Sequence, residues 1–186
     1  MKQQNPRSLL RLKLVVYCLA LIVAFAGSGF SAANDEVKKS SMTVILVRHA
    51  EKHKDPKNPE DKDPDISGDG QTRAQLLAKM FGDSGVSAVY ATQYKRTHQT
   101  VKPLATKVGI PVTIIESKMT AELIQQMRER NAGQVVFLAG HNTTVPEIIG
   151  ELGGPKLPMI PETEYDNLFI LQVHSDGTAK LLKLKY

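Results

Sequence analysis

The chain has 186 residues, with 24 Lys+Arg against 19 Asp+Glu and a single cysteine. That cysteine, Cys18, lies in an apolar N-terminal run, so everything after it is cysteine-free. A disulfide framework, a cysteine metal centre and thiolate-based phosphoryl transfer are therefore excluded.

The excess positive charge sits at the N-terminus. Lys2, Arg7, Arg11 and Lys13 precede the apolar run Leu14 to Ala26, small residues follow through Ala33, and Asn34-Asp35-Glu36 opens a new composition. This layout predicts a signal peptide over residues 1–33, cleaved after Ala33, that exports a domain spanning 34–186 to the periplasm or beyond the cell. If the segment stays uncleaved, it becomes a membrane anchor with the domain facing outward. Without the leader, Lys+Arg falls from 24 to 20 against the same 19 acids, and the formal charge drops from +5 to +1. A near-neutral domain gives no reason to expect nucleic acid, and membrane contact is expected only through the N-terminal segment.

Val44-Ile45-Leu46-Val47 reads as a short buried strand that ends in Arg48-His49. Lys52 to Asp65 is charged and broken by Pro56, Pro59 and Pro64, so it is an exposed excursion beside that pair rather than a core element. Ser67-Gly68-Asp69-Gly70 starts a helix with Ala74, Leu77, Ala78 and Phe81 on one stripe. Ser87 to Ala91 is a second strand. A helix carrying Val101, Leu104, Ala105 and Val108 follows, in which Pro103 predicts a kink or an irregular turn. Pro111 to Ile115 is a third strand with Glu116 just beyond it, and Met119 to Arg130 is a helix. Gln134 to Ala139 is a fourth strand, ending in Gly140-His141. Asn142 or Thr143 can cap the next helix, with Pro146 in its first turn. Leu168 to Val173 and Ala179 to Leu184 form a terminal hairpin.

Alternating strands and helices predict an α/β fold, a three-layer αβα sandwich with a largely parallel central sheet. His49, Arg96, Glu116 and His141 then lie at or just beyond the carboxyl ends of four different strands, the edge where such folds bind ligands.

Four segments carry a family resemblance: Leu46-Val47-Arg48-His49-Ala50-Glu51, Ile66-Ser67-Gly68-Asp69-Gly70-Gln71, Val89 to Thr97 with Gln99-Thr100, and Val136 to Asn142. In this order and spacing they resemble the histidine phosphatase superfamily, which includes the phosphoglycerate mutases. The resemblance implies a phosphoglycerate mutase-like fold and a metal-independent phosphoric monoester hydrolase without cofactor. It implies His49 as the nucleophile, with Arg48, Arg96 and His141 completing the phosphate pocket.

The residue chemistry agrees with these roles. A neutral imidazole can attack phosphorus and carry the phosphoryl group, and arginines offer paired donors to its oxygens. Neighbouring arginines should keep His49 neutral, whereas His141 should be charged or donating. Glu116 is the expected general acid, with Glu51 and Glu122 as competitors. Ala50 replaces the family's glycine, and no polar Ser or Thr followed by Asn comes after it, which favours a phosphatase over a mutase. The expected substrate is a small phosphorylated molecule, such as a phosphosugar or an envelope glycolipid phosphate. Two rival readings are a metal hydrolase using His49, Glu51 and His53, and a phosphate-binding or phosphohistidine signalling module without turnover.

Overall fold

The structure, a computed structural model, describes residues 41–186. The signal-peptide expectation lies outside the described residues. Six strands form one sheet: β1 (Met42–Arg48), β2 (Val86–Thr92), β3 (Val112–Ile115), β4 (Val135–Gly140), β5 (Asn167–Val173) and β6 (Ala179–Lys185), in the order β3-β2-β4-β1-β5-β6. The first four of these are mutually parallel, and the C-terminal hairpin adds β5 antiparallel beside β1 and β6 antiparallel beside β5, at the edge.

The alternation along β1 explains the three layers, because successive side chains of a strand point to opposite faces. Ile45 and Val47 join Leu77, Phe81, Val101 and Leu104 from α1 (Gly68–Phe81) and α2 (Lys95–Val108) on one face. Val44 and Leu46 join Leu123, Met127, Ile148 and Ile149 from α3 (Thr120–Arg130) and α4 (Thr144–Glu151) on the other. Each fully buried aliphatic side chain contributes about 1.5–3 kcal/mol, and β1 supplies four of them to two cores. Hence the strand that ends in the Arg-His pair is anchored from both faces.

Ser67 caps α1 as expected, its hydroxyl accepting from the Gly70 N–H. The cap of α4 differs from expectation. Thr143 stands at the N-cap position without a side-chain bond, and the hydroxyl that accepts a backbone N–H, that of His141, belongs to Thr144. Helix α2 runs unbroken through Pro103. Among the described residues, no helix is long and apolar enough to cross a membrane.

Candidate active site

The carboxyl ends of β1, β2 and β4 open onto a cavity of about 400 Å³, lined by His49, Tyr94, Arg96, His141, Lys52, Lys118 and Glu162 among others. His49 is placed by its backbone. Its N–H donates to the Gly140 carbonyl of β4, and the following Ala50 N–H donates to Thr100 Oγ1 from α2. The His49 Nδ1 lies 2.8 Å from the Ala50 carbonyl oxygen. A carbonyl only accepts, so Nδ1 carries the proton and Nε2 carries the lone pair. Burial is the main reason the His49 pKa falls from 6.5 to about 3. The bond to Ala50 opposes the fall, while the charges of Arg48, Arg96 and His141 add to it. The ring is thus neutral and tautomerically fixed at ordinary pH.

His141 is neutral as well, drawn down from 6.5 to about 4 by burial and then by Arg96, Arg48 and Lys52. Of the two expected states, charged or donating, the free ring shows the neutral one that donates. Its donor capacity is fixed by a hydroxyl chain. Thr97 Oγ1 lies 2.8 Å from the Tyr94 carbonyl and 3.0 Å from that of Thr92, which take its proton. Thr92 Oγ1 in turn meets Thr97 Oγ1 at 2.9 Å and His141 Nε2 at 2.8 Å. All these contacts are satisfied together when Thr92 donates to Thr97 and His141 Nε2–H donates to Thr92, leaving the lone pair on Nδ1.

The two arginines are held differently. Arg48 is fully buried and stacks over the Tyr165 ring at 4.3 Å. Its Nη1 donates to the carbonyls of Pro161, Glu162 and Glu164, and its Nη2 donates to the Glu162 carboxylate at 2.7 Å. Arg96 stacks over Tyr94 at 4.3 Å, donates to the Lys62 carbonyl at 3.2 Å and faces Asp63 at 3.6 Å. Both retain a buried Nε–H without a protein partner. A buried donor left unpaired is costly, so Arg96, which lines the cavity, is poised for an acceptor that enters it.

The carboxylates fall out otherwise than the sequence suggests. Glu116 is exposed and borders a neighbouring crevice with Ile115, Met119 and Thr120 rather than the His49 cavity. The turn closed by the Met119 N–H on the Glu116 carbonyl takes the chain away immediately after β3. Glu51 is committed to Arg73, with its oxygens at 2.7–3.0 Å from the guanidinium. It is thus unavailable both as the acid and as a metal ligand between His49 and His53, and among the described residues no cluster suited to a metal ion occurs. Glu122 lies in the first turn of α3 and does not line the cavity. Glu162, which the sequence did not single out, does line it. The segment Lys52 to Asp65 is tied at its neck by the Lys52–Ile66 bridge and the His53–Asp65 backbone bond, and it reaches the site through Lys62 and Asp63.

Residues 44–119 match the family model described as the histidine phosphatase superfamily, branch 1. The matched segment carries Arg48, His49 and Arg96, and it is similar to the sequences of that superfamily. The fold is shared with solved structures of low sequence identity. The protein histidine phosphatase SixA complexed with tungstate is 17% identical, with 77% of this chain and 97% of that chain covered and a TM-score of 0.62. Bacillus stearothermophilus YhfR is 16% identical over 75% and 95%, at 0.61. A mycobacterial glucosyl-3-phosphoglycerate phosphatase is 13% identical over 76% and 97%, at 0.56. No curated protein matches the sequence.

Proposed function

We propose that the chain is a member of the histidine phosphatase superfamily, an exported phosphatase that hydrolyses a phosphomonoester through a phosphohistidine on His49. The observation that carries the reading is the fixed lone pair of His49 Nε2, on a neutral ring, beside two arginines that each keep an unpartnered buried Nε–H. In this mechanism His49 Nε2 attacks phosphorus, and Arg48 and Arg96 stabilise the charge spread over the transferring oxygens. Water then cleaves the P–N bond and regenerates the ring. No metal or cofactor takes part. The open, polar cavity, with Lys52 and Lys118 on its rim, suits a hydrophilic leaving group such as a phosphosugar or the phosphate of an envelope glycolipid. The N-terminal pattern of basic residues, apolar run and small residues supports export.

The test is release of phosphate from an aryl phosphate by the purified chain with chelator present, beside His49→Ala. Chelator-resistant release that disappears in the variant supports the reading. No release from the wild type across several phosphoesters points instead to binding or signalling without turnover, and the whole proposal then fails.

A further inference from the structure

Hydrolysis of an alkyl phosphate requires a proton for the departing oxygen, and neither Glu116 nor Glu51 is placed to give it. Glu162 stands where an incoming phosphate must arrive. Its Oε2 accepts from Arg48 Nη2 at 2.7 Å and its Oε1 accepts from Asn142 Nδ2 at 2.7 Å. Arg48 itself does not line the cavity, whereas Glu162 does. The cavity therefore meets the Glu162 carboxylate in place of the arginine's Nη2. The Glu162 side chain is 63% exposed while that of Arg48 is 1% exposed, so one partner of the pair can swing away and the other cannot.

We infer that Glu162 occupies the position of a phosphate oxygen in the free enzyme, is displaced from Arg48 when substrate binds, and then serves as the proton donor to the leaving group. The inference rests on the phosphatase reading above. The chemistry follows from charge. A phosphate dianion takes over the arginine, and the released carboxyl group meets the leaving oxygen carrying a proton taken from solvent. Attack by His49 Nε2 forms the N–P bond as the P–O bond breaks. The electron pair of that bond goes to the departing oxygen, which takes the proton of the Glu162 carboxyl and leaves as the alcohol. The Glu162 carboxylate next accepts a proton from the water that attacks phosphorus. The P–N electron pair returns to Nε2, and hydrogen phosphate departs. Glu162 ends protonated as it began the first step, and it returns that proton to solvent when it rejoins Arg48, so atoms and charge balance over the cycle.

Two other carboxylates near the cavity fit less well. Asp63 is engaged by the Lys95 N–H as well as by Arg96, which fixes it to the start of α2. Glu147 lines the cavity without holding either arginine, so phosphate binding does not release it.

The experiment compares wild type with Glu162→Gln on two substrates, p-nitrophenyl phosphate, whose leaving group needs little protonation, and a simple alkyl phosphate, whose leaving group needs it fully. The amide keeps the shape and an acceptor for Arg48 but cannot give a carboxyl proton. A general acid typically contributes 10²–10⁴-fold, so kcat/KM should fall at least ~100-fold on the alkyl ester and less than ~10-fold on the nitrophenyl ester. Tungstate affinity, measured by calorimetry without turnover, should rise because a competing carboxylate has gone. A common fall on both esters, or loss of tungstate binding along with activity, overturns the assignment while leaving an active wild-type phosphatase. A wild type inert toward both esters removes the phosphatase reading and this inference with it.

Discussion

The imidazoles of His49 and His141 stand edge to face, ring centroids 5.5 Å apart, and both are neutral in the folded protein. Folding holds both pKa values down, from 6.5 to about 3 and about 4, so in the acid range the unfolded chain binds more protons than the native one. Stability then rises with pH across that range. The contribution is fully present above 6.5 and is lost as pH falls through 6.5 toward the folded values. Urea midpoints should therefore drop between pH 7 and pH 4.5, and the drop should be shallower in a His49→Ala/His141→Ala double variant. An unchanged slope in that variant would assign the acid sensitivity elsewhere.

His141 raises a second expectation. With Nε2–H engaged by Thr92, the neutral ring offers an oxyanion only the unprotonated Nδ1. Holding a phosphate oxygen thus requires the ring to take up a proton, which the negative charge of the ligand favours. Calorimetric titration with tungstate at pH 7 in buffers of different ionisation enthalpy should show uptake of roughly one proton in Glu162→Gln, where His141 is the remaining acceptor. Thr92→Val, which removes the partner of Nε2, should alter that uptake while leaving the arginines in place. Buffer-independent enthalpies in Glu162→Gln would contradict this account of His141.

Much of this site is legible in the sequence because three of its groups come shortly after strand ends. His49 follows β1, His141 follows β4 and Arg96 lies in the first turn of the helix after β2. Strand ends are readable from apolar runs, and the sheet brings them together. What sequence pattern does not carry is pairing between loops. Glu162 lies in a stretch without periodicity and meets Arg48 across 114 positions. The role of Arg48 is also altered by that loop, since carbonyls of residues 161–164 engage its Nη1. Glu116 illustrates the converse. Its place after β3 suggested the site, but a one-turn change of direction carries it into another crevice.

Arg48 has a structural burden as well as a chemical one. Arg48→Lys would leave the Pro161, Glu162 and Glu164 carbonyls competing for a single ammonium that cannot match a planar fork. Disrupting a buried charged network of this kind costs about 3 kcal/mol, and turnover should fall by roughly 100-fold or more as the phosphate donor is lost. Urea unfolding and aryl phosphate kinetics measure the two effects. Retention of both stability and activity would show that the arginine is not the anchor of the 161–164 loop.

Two glycines at the start of α1 separate packing from helix propensity. A Cβ on Gly70 would lie 2.5 Å from the Glu51 carbonyl oxygen and 3.2 Å from its nitrogen, whereas one on Gly68 would meet nothing within 4 Å. The contact at Gly70 is backbone against backbone, so no side chain can turn aside. The segment it would push begins two residues after His49 and is held by the Ser67 N–H on that same Glu51 carbonyl. Gly70→Ala should therefore destabilise the protein by about 1–3 kcal/mol and depress turnover by shifting the His49 loop. Gly68→Ala should be neutral or stabilise by up to about 1 kcal/mol, because alanine loses less freedom in a helix. Both residues are glycine in the same turn, so a propensity effect alone would move them in the same direction. Opposite signs in urea unfolding, with turnover lost only in Gly70→Ala, would show that the close approach of α1 to Glu51 holds the nucleophile in place.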